Sequence, residues 1–95
     1  MLKRVVVTGI GALTPIGLNV SSFWNGLSNA VSGAEPITRF DASKFKTHFA
    51  CELKKFKAED YIDRKELRKL DDFSVYALVS TEEAIKDSKI DLDSL

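Results

Sequence analysis

The chain opens on an apolar run, Val5-Val6-Val7, that leads directly into Thr8-Gly9-Ile10-Gly11-Ala12-Leu13-Thr14-Pro15-Ile16-Gly17. Three consecutive β-branched residues suit a strand. An unbroken apolar run, rather than an alternating one, suits a strand covered on both faces, as in a parallel sheet flanked by helices. Gly9, Gly11 and Gly17 let the backbone turn sharply or approach another element closely. This opening predicts an α/β fold, and a strand of this kind requires parallel neighbours on its edges.

Gly9-Ile10-Gly11 after a strand is also half of a dinucleotide fingerprint. The complete fingerprint needs a third glycine three residues on, where a helix starts against the sheet and aims its N-terminus at a pyrophosphate. Thr14 stands there, followed by Pro15, and no acidic residue lies where a ribose-binding carboxylate is needed, Asp41 being too far along. The turn therefore reads as a buried strand leaving by a tight bend, and no cofactor is expected.

Ninety-five residues are enough for one small domain. Fourteen basic and fourteen acidic residues cancel, which indicates neither disorder nor a general affinity for nucleic acid. No apolar stretch approaches the length of a membrane span, and the N-terminal apolar run is too short for a secretory signal. One cysteine, Cys51, forms no internal disulfide, as suits a reducing cytoplasm. The charges are segregated along the chain. Lys44 to Lys69 holds nine basic and five acidic residues, whereas Asp71 to Leu95 holds two basic and seven acidic.

Downstream of the turn, Asn19 or Ser21 can cap a helix on which Phe23, Trp24, Leu27, Ala30 and Val31 recur at helical spacing. Gly33 is placed to end that helix in a left-handed conformation, and Pro36 confirms the stop. Residues 34–46 read as loop. Phe49, Cys51 and Leu53 alternate with His48, Ala50 and Glu52, predicting a short half-buried strand with Cys51 on its apolar face. Asp63 and Glu66 stand at capping-box spacing. Leu67, Leu70, Phe73, Ala77, Leu78, Thr81, Ala84 and Ile85 then form an apolar stripe at the helical period. The stripe fits one long helix, or a short turn followed by a longer helix starting near Asp71. Residues 88–95 return to loop character.

Few residues here could perform chemistry. Cys51 and His48 are three apart, so on a strand they point to opposite faces and cannot form a nucleophile–base pair. One His and one Cys cannot build a structural zinc site. Asp71-Asp72 and Glu82-Glu83 read as solvated helix face. The basic cluster is the candidate site. On a helix Arg64 neighbours Arg68 and Lys65 neighbours Lys69, so the four cations share one broad face, with Leu67 and Leu70 opposite. Positive charge in the first turns opposes the helix dipole. Its placement against local stability points to docking of an acidic partner, beside the plain alternative of a solvated face.

Several ordered motifs carry a family resemblance. They are Val5-Val6-Val7-Thr8-Gly9-Ile10-Gly11, the Thr14-Pro15-Ile16-Gly17 turn, the helix bearing Trp24 and Leu27, Ser32-Gly33, Phe40-Asp41, Phe49-Ala50, and Asp63-Arg64-Lys65-Glu66-x-Arg68-Lys69-x-Asp71. Over residues 3–88 the chain resembles the β-ketoacyl-acyl carrier protein synthases, most of all the elongating synthase II branch of type II fatty acid synthesis. Cys51 stands where that family more often has glycine.

The resemblance implies a thiolase-like α/β fold, five layers in α-β-α-β-α order in the complete enzyme, which is normally a homodimer. It implies a cysteine nucleophile, two histidines and a lysine, all matching positions beyond this chain, so no catalytic residue, cofactor site or metal site is carried over. What it transfers is acyl carrier protein binding by residues such as Lys65, Arg68 and Lys69, with Arg64 on the same face. Residues 1–95 are thus expected to be the N-terminal fragment of the first thiolase-like half, inactive alone, with no nucleic acid or membrane partner. Two alternatives stand beside this. One is a stand-alone module docking an acidic partner through the Arg64–Lys69 face, and the other is a polyketide-type ketosynthase fragment.

Overall fold

A computed structural model describes residues 2–95. They form two compact units. One comprises the N-terminal segment up to Ala12 together with Lys57–Leu95, and the other is Leu13–Phe56.

The Leu13–Phe56 unit starts with a turn in which the Thr14 and Gly17 backbones pair with each other, at 2.8 and 3.3 Å. Helix α1, Val20–Ser28, follows. Asn19 caps it through a reciprocal box in which the Ser22 N–H donates to Asn19 Oδ1 (2.8 Å) and the Asn19 N–H donates to Ser22 Oγ (3.2 Å). Two otherwise orphaned helix donors are satisfied in this way. Of the two expected caps, Asn19 or Ser21, Asn19 is the one used, but the expected end is not reached. The Asn29 side chain donates to the Asn25 carbonyl (2.9 Å) and stops the helix at Ser28. Ala30, not Gly33, takes the left-handed conformation, with φ 55°. Gly33 serves close approach instead, since a Cβ there would lie 2.9 Å from Pro15 Cβ. On α1, Gly26 is buried against Ile16, while Trp24 is 68% exposed.

Strands β1 (Glu35–Pro36) and β2 (Phe49–Ala50) form an antiparallel pair with Glu35 opposite Ala50 and Pro36 opposite Phe49. The Ile37 N–H donates to the His48 carbonyl (3.0 Å) and extends the pairing by one step. Pro36 has no N–H to contribute, which suits an edge position. The predicted strand at 48–53 thus shrinks to two residues, with a partner inside the segment expected to be loop. Its predicted apolar face is also wrong. Phe49 is 62% exposed and Cys51 is exposed, while Leu53 is half-buried. A two-stranded ladder without a covering layer cannot bury one face. Between the strands, Phe40 and Phe45 meet edge to face at 5.8 Å and 78°, near the buried Ala42.

In the other unit, a 3-10 turn at Ala58–Asp60 precedes the one-turn helix α2, Arg64–Leu67, and the long helix α3, Asp72–Ser88. This is the second of the two expected arrangements, a short turn and then a longer helix. Lys89, with φ 58°, ends α3, and Leu92–Ser94 form a last 3-10 turn. Val75 and Val79, one helical turn apart, are the buried residues of α3, whereas Phe73 is 72% exposed. The buried face is therefore rotated from the predicted stripe. The surface that receives the N-terminal segment is the small-residue row Ser80, Ala84 and Ser88; Ala84 belongs to the predicted stripe, while the hydroxyls of Ser80 and Ser88 do not register in an apolar pattern.

Val5–Val7 forms no strand. Val5 is 92% exposed and Val7 81% exposed, because among the described residues nothing pairs with the edges of this segment. Contact begins further on. The Ile10 N–H donates to Asp87 Oδ2 (3.1 Å) and the Ala12 N–H donates to Glu83 Oε1 (2.9 Å).

Candidate functional site

The basic segment is shaped by how a very short helix closes. Asp63 occupies the N-cap position of α2 but makes no side-chain cap bond, contrary to the capping box expected with Glu66. Asp63 is exposed, and water competes for a carboxylate held by a single turn of helix. Two α-type backbone bonds close the turn: the Leu67 N–H donates to the Asp63 carbonyl at 3.0 Å and the Arg68 N–H to the Arg64 carbonyl at 3.3 Å. The turn then tightens. The Lys69 N–H donates to the Glu66 carbonyl (3.0 Å) and the Leu70 N–H to the Leu67 carbonyl (3.2 Å), both three residues back.

This geometry refines the predicted face. Arg64 and Arg68 stand one α-helical turn apart, as expected. Lys69 sits on a three-per-turn step, where residues three apart eclipse, so it lies over Glu66 rather than in line with Lys65. All four cations are exposed, whereas Leu67 and Leu70 are half-buried. Among the described residues, no ion pair engages Arg64, Lys65, Arg68 or Lys69. Four positive charges against the single carboxylate of Glu66 within these six residues produce a local positive field that attracts an anionic surface and that salt screens.

Among the described residues, Cys51 and His48 are not brought together as a nucleophile–base pair. Cys51 and His48 are both exposed. Among the described residues, no cluster of three or more His, Cys, Asp or Glu side chains could hold a metal ion, and no helix is long and apolar enough to cross a membrane. Two carboxylates are tuned by local hydrogen bonds. Thr38 Oγ1 (2.8 Å) and the Thr38 N–H (3.2 Å) donate to Glu52 and hold its carboxyl below the usual value. The Ser43 N–H (3.0 Å) does the same for Asp41.

Lys54 is the residue that the sequence hid. Its half-buried ammonium donates to the Gly33 carbonyl (2.6 Å), the Glu52 carbonyl (3.0 Å) and, at the outer limit, the Pro15 carbonyl (3.4 Å). It ties three separate stretches of the Leu13–Phe56 unit together and lines a cavity of about 570 Å³ with Thr14, Ser22 and Glu35. In the sequence it sits in the Lys54-Lys55-x-Lys57 run, and nothing there separates a stitching lysine from a solvated one.

Comparison with known proteins gives a consistent result. Residues 2–95 match the β-ketoacyl synthase N-terminal domain. A 3-oxoacyl-[acyl-carrier-protein] synthase 2 of Staphylococcus aureus (strain COL) is 47% identical over 91 residues, which are 96% of this chain and 22% of that relative. A protein of the same name from Synechocystis sp. is 45% identical over 93 residues, 98% of this chain and 22% of that relative. Among solved structures, the ketosynthase/chain length factor of ishigamide superposes with a TM-score of 0.84 at 34% identity, covering 95% of this chain and 22% of that one. A type II polyketide synthase complex of a ketosynthase, bound to the hexaketide, with its acyl-carrier protein gives a TM-score of 0.76 at 33% identity. It covers all of this chain and 24% of that one. The chain thus spans under a quarter of the length of these relatives.

Proposed function

Because the chain belongs to the β-ketoacyl synthase family, through the N-terminal domain and its thiolase-like α/β fold, we propose that it serves fatty acid chain elongation as part of a 3-oxoacyl-[acyl-carrier-protein] synthase 2. The observation that carries this reading is the 47% identity to a synthase of that name across nearly the whole chain. In the proposed reaction an acyl group passes from a carrier thioester to a cysteine thiolate of the complete enzyme. Malonyl-carrier protein then loses carbon dioxide, and the resulting carbanion attacks the acyl carbonyl and expels the thiolate.

The role of residues 1–95 is structural and recognitive: they form the opening part of the first thiolase-like half. Neither Cys51 nor His48 takes part in the chemistry. Arg64, Lys65, Arg68 and Lys69 hold the acidic carrier protein. The solved relative captured with an acyl-carrier protein supports a carrier as the partner class. The complete enzyme acts as a homodimer in the cytoplasm, where the exposed Cys51 thiol stays reduced.

A polyketide ketosynthase is the second reading, favoured by the two solved relatives. Their identity of 33–34% is lower than the 47% to the fatty acid enzyme. A stand-alone docking module accounts poorly for Val5–Val7, whose exposed strand-forming residues have no partner among the described residues.

The test is to express the longest reading frame that contains this chain and supply acyl- and malonyl-carrier protein. The expected result is carbon dioxide release with a 3-oxoacyl-carrier product two carbons longer than the acyl donor, and no such activity from residues 1–95 alone. Failure of the longer protein to condense any acyl donor would overturn the proposal. Repeated condensation to a polyketide would favour the second reading.

A further inference from the structure

We propose that Glu83 and Asp87 are positioning residues: a two-carboxylate clasp on α3 that grips the Gly9–Ala12 segment by its backbone and fixes the path of the N-terminal segment along the helix.

Three features of the geometry lead to this. The first is spacing. Glu83 and Asp87 stand four apart, so they share one face of α3. In an extended segment, alternate N–H groups point to the same side and lie about 6.6 Å apart. One helical turn rises about 5.4 Å. Two carboxylates one turn apart therefore match two amides two residues apart. Asp87 Oδ2 accepts from the Ile10 N–H at 3.1 Å and Glu83 Oε1 from the Ala12 N–H at 2.9 Å. Between them the Gly11 N–H has no partner among the described residues.

The second feature is direction. Gly9 lies against Ala84 and Ser88, and Gly11 lies against Ser80 and Ala84. The segment runs antiparallel to the helix, advancing two residues for each turn, in register with both hydrogen bonds. The third is clearance. A Cβ on Gly9 would fall on the Ala84 carbonyl oxygen and 2.7 Å from Ser88 N, and one on Gly11 would fall on the Ser80 carbonyl oxygen and 3.0 Å from Ala84 N. These obstacles are helix backbone and cannot swing aside. No glycine in the chain has a positive φ, so Gly9 and Gly11 are required for closeness rather than for a special turn. Glycine thus supplies the approach, and the carboxylates supply charge-assisted bonds roughly twice as strong as neutral ones. The motif has two halves, Gly9-x-Gly11 and Ser80-x-x-Glu83-Ala84-x-x-Asp87-Ser88.

Residue-resolved amide hydrogen exchange on the 95-residue chain tests the clasp. Ile10 and Ala12 should exchange slowly and Gly11 rapidly. Glu83→Ala should speed exchange at Ala12 by about tenfold and Asp87→Ala at Ile10 by a similar factor, each leaving the α1 amides unchanged. Glu83→Gln and Asp87→Asn keep a neutral acceptor oxygen and should restore about half of the lost protection on a logarithmic scale. If Ile10 and Ala12 exchange in the unmodified chain as fast as Gly11, the proposal is wrong. It is equally wrong if each Ala variant leaves its own amide unchanged. Should an Ala variant deprotect α1 as well, the Gln and Asn variants decide: protection retained at Ile10 and Ala12 supports the clasp, and protection lost there with α1 intact overturns it.

Discussion

Replacing Lys54 by methionine removes the stitch of the Leu13–Phe56 unit while keeping most of the aliphatic stem, which continues to cover apolar surface. The ammonium makes two bonds of good length, to the Gly33 carbonyl (2.6 Å) and the Glu52 carbonyl (3.0 Å), and a third, 3.4 Å bond to the Pro15 carbonyl that contributes little. A hydrogen bond from a charged donor contributes about 1.5–3 kcal/mol. Lys54 is only half-buried, so water can replace part of what is lost, and about 1 kcal/mol for each good bond is reasonable. The total, about 2 kcal/mol, corresponds to roughly a thirtyfold rise in local opening. Hydrogen exchange reads that opening directly, without requiring a cooperative unfolding transition. The informative amides are Thr14, bonded to the Gly17 carbonyl at 2.8 Å, and Val31, bonded to the Gly26 carbonyl at 2.9 Å. Both should exchange roughly thirtyfold faster in Lys54→Met, while α3 amides keep their rates. Lys54→Arg should recover only part of the loss, because a planar guanidinium cannot radiate three donors from a single nitrogen to three carbonyls. Unchanged exchange at Thr14 and Val31 would refute the stitch.

Four further outcomes are expected. Gly11→Ala should destabilise the packing of the N-terminal segment on α3 by about 2 kcal/mol, because helix backbone blocks the new methyl group. Gly26→Ala should be close to neutral, since a helix-propensity gain of about 1 kcal/mol offsets contacts of 3.1–3.3 Å with Ile16; exchange at α3 and α1 respectively measures the two. Glu52 should titrate below its ordinary value of 4.5, and Thr38→Val should raise it toward that value in a carboxyl NMR titration. The sign follows from the lowered folded pKa: the stabilisation is present above 4.5 and is lost as pH falls through the folded value. The isolated chain should self-associate in sedimentation, because Val5, Val6, Val7 and Trp24 are largely exposed. A monodisperse monomer with a sharp, reversible thermal transition would contradict that.

What the sequence made legible was local. Asn19 is a cap because its side chain and Ser22 lie three residues apart, whereas the break before Asp71 was only one of two arrangements that the apolar stripe allowed. The misses share a physical cause. Val5–Val7 carries the pattern of a buried strand, but a strand forms only with partners, and among the described residues none pairs with it. Cys51 was expected on a buried face for the same reason, and with two short strands there is no layer to cover it. Val75 and Val79 outrank the predicted stripe because the neighbouring surface of α3 is given over to Gly9 and Gly11 through Ser80, Ala84 and Ser88. Of the candidate site, the identity and exposure of all four cations were readable. The tightening that moves Lys69 out of line with Lys65 was not, because it depends on which carbonyl each amide reaches.

The central claim is that the Arg64–Lys69 face holds an acidic carrier protein. The most direct measurement is steady-state kinetics of the complete enzyme with Lys65, Arg68 and Lys69 all changed to Glu. Two substrates are compared, an acyl group on the carrier protein and the same acyl group on a small thioester without it, at low and high salt. Exposed charges act mainly by steering association and are screened within about 10 Å at 0.1 M salt. The account predicts a Michaelis constant for the carrier-bound substrate raised tenfold or more at low salt, a smaller rise at high salt, and an unchanged rate on the small thioester. Equal, salt-insensitive losses on both substrates would contradict it and assign the cluster to the folding of the enzyme instead.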